Sequence, residues 1–311
     1  MKRPFYNAFR SLFHNPRHLV SALCIRCSAL FPDETYLKLM HRLELRRKLD
    51  LKDPKTYNDK LQWLKLYCHR PEFTMMADKV AVKPFVAERI GAEYVAPLIG
   101  VWDRVEDIEW DRLPQQFVLK TNHDGGNFGV VICKDKDTFD RAKAEKRLKA
   151  SLHRNTYLLG REWPYKNIPR MVFAEKYIED KGREELLDYK FYCFDGKVKI
   201  VFIASGRQSL KEVCIDYYDA DGNHIDGLRQ SHPNAPVPPA KPLHFDLMKE
   251  LAEKLSAGIP HVRVDFYEAS GKVYFSELTF FPYGGWTAFH PEEYDAILGS
   301  YLKLPQKSLS L

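Results

Sequence analysis

Arg263, Asp265 and Glu277 are ionisable side chains set among apolar residues in one short stretch, RVDFYEASGKVYFSELTF, from Arg263 to Phe280. The stretch reads as a β-hairpin. Taking Ala269-Ser270-Gly271 as a three-residue loop, with glycine where a positive φ is needed, sets Glu268 opposite Lys272, Arg263 opposite Glu277 and Asp265 opposite Phe275. The two-residue side-chain period then places those last four on one face with Tyr267 and Val273, and puts Val262, Val264, Phe266, Tyr274 and Leu278 on the other. The second face is core. The first holds two carboxylates and a guanidinium within diagonal reach of one another. It is either a cross-strand ion pair on a solvated sheet, worth about 0–1 kcal/mol, or part of a site. The hairpin alone leaves both open.

Other segments add charge of the same kind. In FVLKTNHDGGNFGVVIC an apolar run ends in Lys120, a polar loop with Gly125 and Gly126 follows, and a second apolar run starts at Gly129. Glycines let backbone N–H groups approach a phosphate closely, and the lysine supplies a point charge; a plain hairpin with a glycine loop is the alternative. The Walker pattern is absent, which excludes a P-loop. FAEKYIED carries Glu175 and Lys176 on an apolar strand, and in LLDYKFYCFDGK the alternation puts Asp188 and Lys190 on one side and Tyr189 and Phe191 on the other.

The elements that must carry these residues show in the periodicity. ETYLKLMHRLELRRKLDL and TYNDKLQWLKLYCH have helical spacing, with Thr56 or Asn58 as caps. TMMADKVAVKPFVAERIG is a further helical pattern, with Pro84 at a kink or boundary and Gly91 at its end. From Tyr94 short β-like runs take over (YVAPLIGVW, QFVLK, GVVICK, RMVFAEKYI, YKFYCF, KVKIVFIA, EVCIDYY), interrupted by helical stretches near 137–152 and 244–257. This predicts an α+β fold with largely antiparallel sheet. SHPNAPVPPAKP, at 231–242, reads as a polyproline-like connector or a substrate-side loop.

A chain of 311 residues with 45% apolar and 29% charged residues is globular and long enough for more than one subdomain. The net charge of +6 is modest and the two signs are interspersed, which argues against nucleic acid as the main partner. The N-terminus differs. No acidic residue precedes Asp33, while Lys2, Arg3, Arg10, Arg17 and Arg26 are basic and Phe5, Phe9, Leu12 and Phe13 fall at helical spacing. This is a basic amphipathic helix for an anionic membrane surface, or a helix packed on the rest of the protein. No run is apolar enough to span a bilayer, and His14, Arg17, His18 and Arg26 interrupt any signal-peptide core, so the chain is expected in the cytosol. The six cysteines read as reduced thiols, since Cys24 and Cys27 lack a second ligand pair for zinc.

Taken in order, the DK pair at 78–79, the lysine-ended strand with its glycine loop, EKYI, D-x-K, RVDF and SEL resemble the ATP-grasp superfamily. In detail they resemble its TupA-like branch, associated with bacterial surface-polysaccharide and teichuronopeptide biosynthesis. NDKLQWLKLY, ADKVAV, LPQQFVLKTNH, DYKFYCFDGK and RVDFY…YFSELTF carry the likeness, over roughly residues 34–290.

The resemblance implies an ATP-grasp fold, two α+β subdomains gripping ATP behind a helical N-terminal region. Its expected divisions are 1–55 (basic helical segment), 56–112 (helical and αβ region), 113–175 (lid subdomain) and 176–311 (larger subdomain). It implies ATP and Mg²⁺ as cofactors. Lys79 and Lys120 would contact phosphates, under a lid loop of His123, Gly125, Gly126 and Asn127. Glu175, Lys176 and Ile178 would form the adenine hinge, and Asp188 would meet the ribose. Lys190 and Arg263 would face the γ-phosphate, and Asp265 and Glu277 would hold the metal through the hard oxygens that Mg²⁺ prefers. Many ATP-grasp enzymes carry Asn where this chain has Thr279; the TupA-like branch also uses Thr. Ser276 replaces a usual small residue on what reads as the opposite face. The implied activity is a carboxylate–amine ligase working through an acyl phosphate, with a uronic acid of a polysaccharide or its precursor and an amine as partners. A sugar kinase and a non-catalytic scaffold are the alternatives. Acceptor residues are expected on loops such as ASGRQSLKE at 204–212 or the proline-rich stretch.

Overall fold

The computed structural model describes residues 16–126, 128–180, 186–206 and 212–307, the side chains of 16–18 excepted. Asn127, residues 207–211 and the N-terminal apolar residues Phe5, Phe9, Leu12 and Phe13 lie outside them.

The chain begins with helices. α1 (Pro16–Arg26) and α2 (Asp33–Leu45) precede α3 (Tyr57–Tyr67), whose N-cap is Thr56, accepting from Asp59 N. The helical pattern around Pro84 divides into α4 (Glu72–Ala77) and α5 (Val82–Ile90). The break is built in: the Asp78 carboxylate accepts from Val80 N at 2.8 Å and Ala81 N at 3.1 Å, which closes the turn ahead of α5, and Pro84 falls in the first turn of that helix, where no intrahelical donor is required. Gly91, at φ 118, ends α5.

Two antiparallel sheets follow. The smaller has the order β1-β4-β2-β3, from Leu98–Trp102, Val172–Lys176, Phe117–Thr121 and Val130–Cys133. It draws on chain upstream of residue 113, because β1 pairs with β4. α6 (Arg141–Leu152), capped by Asp140, covers it, and Leu148, Ala144, Phe117, Leu119 and Ala174 form its core. The larger sheet has the order β7-β6-β5-β8-β9, from Cys214–Asp219, Lys197–Ser205, Asp188–Phe194, His261–Ala269 and Lys272–Thr279. One face packs on α8 (Phe245–Ser256): Phe191 lies 5.6 Å from Phe245 between ring centroids. This is the α+β architecture expected. Short α7 (Thr156–Gly160) lies between β3 and β4 in sequence, and α9 (Glu293–Tyr301) packs against α3; periodicity alone showed neither. All six cysteines are free, and no described helix is long and apolar enough to cross a membrane.

The β8–β9 hairpin differs from its sequence reading. Its turn is two residues, Ser270 and Gly271, both at positive φ, so Ala269 and not Glu268 faces Lys272. A bulge then corrects the count. Asp265 pairs with Glu277 but Phe266 pairs with Phe275, so Ser276 is an extra residue on β9. Below the bulge Val273 and Phe275 turn into the core and Tyr274 leaves it, opposite to the expected faces; above it Glu277 and Thr279 stand beside Asp265 and Arg263.

Leu148 is fully buried under the small sheet. Leu148→Ala should cost about 2–5 kcal/mol, read as a lower urea midpoint.

Candidate functional site

Between the sheets lies a cavity of about 430 Å³, joined to a second of about 320 Å³ through shared walls at Lys120, Val130, Glu175 and Tyr267. The floor is the cleft face of the large sheet, where Lys190 on β5 pairs across with Asp265 on β8, and Asp265 with Glu277 on β9.

Arg263 organises this floor. Its Nε donates to Asp265 Oδ1 and its Nη2 to Asp265 Oδ2, each at 2.7 Å, which makes a bidentate fork. Nη2 also reaches Thr279 Oγ1 at 3.0 Å and Glu277 Oε1 at 3.3 Å. Lys190 donates to the second oxygen of Asp265 and lies 3.8 Å from Asp188. Asp265 is wholly buried, whereas the Glu277 side chain keeps 25% of its exposure toward the cavity. Burial, the largest influence on Glu277, would raise its pKa, but Lys79, Lys190 and Arg263 together hold it well below the ordinary carboxylate range. For Arg263 burial disfavours the charge, and Asp265 more than restores it.

The roof is set by a second network. Asn122 donates to Asp78 Oδ2 at 2.9 Å and accepts from Met171 N at 2.9 Å, and Lys79 N donates to Asn122 O at 3.1 Å. Lys79 is thereby aimed across the cleft, its Nζ donating to Asp124 O at 2.6 Å and lying 3.6 Å from Glu277 Oε2. Asp124 is itself buried, with its carboxylate accepting from Ser151 Oγ at 2.7 Å and Arg154 Nη1 at 3.1 Å. Gly125 and Gly126 line the cavity beyond it. Gly125 has no atom within 4 Å of where a Cβ would stand and no positive φ, so neither packing nor backbone conformation requires glycine there. At the root of the loop, by contrast, a Cβ on Gly129 would meet Thr121 Oγ1 at 2.1 Å.

The other expected residues fall as follows. Lys120 pairs with Glu175, which also takes Lys83 Nζ at 3.0 Å; burial opposes the Glu175 charge, and the two lysines lower its pKa in spite of it. Lys176, Ile178 and Asp188 line the smaller cavity with the apolar Val118, Val130 and Ile132. The Lys176 N–H donates to Pro97 O at 3.1 Å. His123 is buried and lines neither cavity, and burial, the largest influence, lowers its pKa. Ser276, expected to face away, lines the larger cavity because of the bulge.

Sequence reasoning missed Lys83, Asp124, Asn122, Glu162 and His232. Lys83 stands four residues after Lys79, a helical spacing that could have flagged it; the others are placed by contacts far along the chain.

The donor set suits magnesium. Glu277 offers hard oxygens at the edge of the larger cavity, and Asp265, paired with it across the strands, stands behind with its oxygens taken by Arg263 and Lys190; among the described residues no group of three or more His, Cys, Asp or Glu could hold a metal alone. An ion that takes one or two carboxylates and completes its shell with phosphate oxygens fits such a floor.

Comparison with known proteins gives one family. The model described as TupA-like ATPgrasp matches residues 59–303. No curated protein matches the chain. Among solved structures, D-alanine–D-alanine ligase from Bacillus anthracis complexed with ATP is 16% identical, over 66% of this chain and 54% of that one, with a TM-score of 0.38. D-alanyl-alanine synthetase A from Vibrio cholerae is 11% identical over 78% and 62%, with a TM-score of 0.41. ATP-grasp ligase PsnB, complexed with a phosphomimetic variant of minimal precursor, Mg and ADP, is 12% identical over 95% and 72%, with a TM-score of 0.43. This chain thus covers about half the length of the Bacillus enzyme.

The Glu277 charge also couples the floor to pH. Its folded-state pKa lies below the ordinary 4.5, so its stabilising contribution is complete above that value and is withdrawn as pH falls from there through the folded-state value. Glu277→Gln should therefore be less stable than wild type at neutral pH, because Arg263, Lys79 and Lys190 lose a counter-charge. In urea unfolding the gap should narrow steadily once the pH drops below 4.5.

Proposed function

Since the chain belongs to the TupA-like ATP-grasp family, we propose that it is an ATP-dependent carboxylate–amine ligase. One observation carries the reading: Lys190, Arg263, Asp265 and Glu277 meet on one buried face, with Lys79 reaching them from the opposite wall at 3.6 Å. Cations and metal-binding carboxylates so arranged suit phosphoryl transfer, where catalysis is positioning and charge neutralisation.

In this reading ATP lies along both cavities. Its adenine occupies the smaller one, between Val118, Val130 and Ile132 and the chain at Lys176–Ile178, with the ribose near Asp188; its phosphates run past Lys120 to Lys79. The openness above Gly125 supports close backbone approach to phosphate, and Gly126 and His123 belong to the same loop. Asp265 and Glu277 would hold Mg²⁺, which neutralises charge on the transferring phosphoryl group. Lys190 and Arg263 add fixed positive charge where negative charge develops. A substrate carboxylate oxygen attacks the γ-phosphorus of ATP, and the bond from that phosphorus to the bridging oxygen breaks, so that ADP leaves with the electron pair and an acyl phosphate remains. An amine then attacks its carbonyl carbon, and inorganic phosphate leaves with the bonding electron pair as the amide forms. By family likeness the carboxylate belongs to a uronic acid of a surface polysaccharide or its precursor.

Peripheral attachment to an anionic membrane, on the cytosolic side, would bring the enzyme to such a substrate. Exposed Leu19, Val20, Leu23 and Ile25 on α1, beside a basic N-terminus, support it.

Four measurements test these readings. With a panel of uronic acids and amines, ATP should give ADP and free phosphate; a phosphorylated sugar without free phosphate would indicate a kinase, and no thermal stabilisation by ATP with Mg²⁺ would indicate a scaffold. Lys190→Ala and Arg263→Ala should each lower turnover by about 10²–10³-fold, and Glu277→Gln should abolish it in a folded protein; wild-type rates in the last would overturn the metal assignment. Flotation with phosphatidylglycerol vesicles should recover the protein at low salt but not high salt, and equal recovery with neutral vesicles would contradict an electrostatic attachment.

A further inference from the structure

α6 does more than cover the small sheet. While its Ala144 and Leu148 pack into the core, Arg147, Ser151 and Arg154 follow one another at four- and three-residue spacing and reach the glycine loop. Arg147 and Ser151 lie one helical turn apart. Arg154 stands in the turn beyond the helix, which its own N–H closes by donating to Ser151 O at 2.9 Å.

Both ends of the loop rest on this face. At the first, Ser151 Oγ donates to Asp124 Oδ2 at 2.7 Å and lies 2.7 Å from Thr121 Oγ1, while Arg154 Nη1 donates to both oxygens of the same carboxylate, at 3.1 and 3.2 Å. At the second, Arg147 Nε donates to Phe128 O at 2.8 Å, and the Arg154 guanidinium lies 4.2 Å from the centroid of the exposed Phe128 ring. A Cβ on Gly129 would meet Ser151 Oγ at 2.4 Å, so glycine is what lets the chain pass this close to the helix.

Asp124 is the anchor that the loop and the opposite wall share. Its backbone carbonyl takes Lys79 Nζ, and its Oδ1 takes Gly125 N at 2.9 Å. One residue thus locates both the lysine and the start of the glycine backbone. Its carboxylate is 2% exposed, and among the described residues Arg154 is the cation that pairs with it. A bare negative charge beside Lys79 would weaken that lysine's pull on phosphate. Arg154 itself lines neither cavity, so its influence on a bound nucleotide passes through Asp124 and the loop.

We propose that Arg154 is a positioning residue for the nucleotide's phosphates: it holds and neutralises Asp124, and so sets where Lys79 and the glycine loop stand. This deepens the ATP-dependent reading and rests on it for the identity of the ligand.

Calorimetry of the full chain with Mg²⁺ and, in turn, ATP, ADP and adenosine separates the phosphate path from the adenine cavity. Arg154→Ala should weaken ATP at least about tenfold, ADP by less, and adenosine not at all. Arg154→Lys should keep part of the affinity. Removing the bare charge as well, in Arg154→Ala combined with Asp124→Asn, should recover part of the ATP loss, a rescue that general loosening of the fold would not give. An equal loss for adenosine, wild-type ATP affinity in Arg154→Ala, or no recovery in the double variant would overturn the proposal. In the nucleotide-free chain, hydrogen exchange at the Gly125 amide should quicken at least about tenfold in Arg154→Ala, and unchanged exchange would overturn it too. A wild type that binds none of the three ligands would count against the ATP-dependent reading, and the exchange rate then decides the hold of Arg154 on the loop by itself.

Discussion

The fork between Arg263 and Asp265 is the interaction on which the large sheet depends. Removing two full charges from water costs several kcal/mol per ion, and only close, multiply bonded geometry offsets it. Here the guanidinium donates four times, to two carboxylates and a hydroxyl, and the carboxylate it grips also receives Lys190. Every partner sits on β5, β8 or β9 at positions that share a face. Strand register is therefore fixed from both sides, by the apolar face against α8 and by charge on the cleft face.

The remaining charges are brought in by a different device. Lys79 lies outside both sheets, in the turn between α4 and α5, and its aim comes from Asp78, Asn122 and Asp124, each buried and each bonded to backbone. None of these three lines the cavity. The N-terminal helices do a similar task for the opposite wall: Tyr36 Oη donates to Leu159 O at 2.9 Å, Tyr157 Oη to Asp33, and Arg161 ties both segments together. The stretch between α7 and β4, which has little regular structure, is thus held by partners more than a hundred residues earlier.

Much of this was legible in the sequence. The strands and helices show as period-two and period-3.6 runs, and the charged residues of the floor stand out because they interrupt apolar strands. The bulge at Ser276 was not legible, since one inserted residue leaves composition unchanged and a three-residue loop gives an equally plausible count. Glu162 and His232 lie in stretches without periodicity, where only long-range contacts decide which side chain faces the cavity. Lys83 follows Lys79 at helical spacing, but its reach to Glu175 is a contact between residues 92 apart, which periodicity does not show.

The bulge leaves β9 dependent on counting. Glu277 and Thr279 face the cleft because one residue more lies between them and the turn than a plain ladder would contain, and Ser276, which has no partner position on β8, supplies that residue. Exchanging the serine for another side chain leaves the parity of the strand intact, whereas loss or gain of a single position between the turn and Glu277 shifts that carboxylate toward the hydrocarbon interior. This ribbon is accordingly permissive toward spelling and intolerant of changes in length.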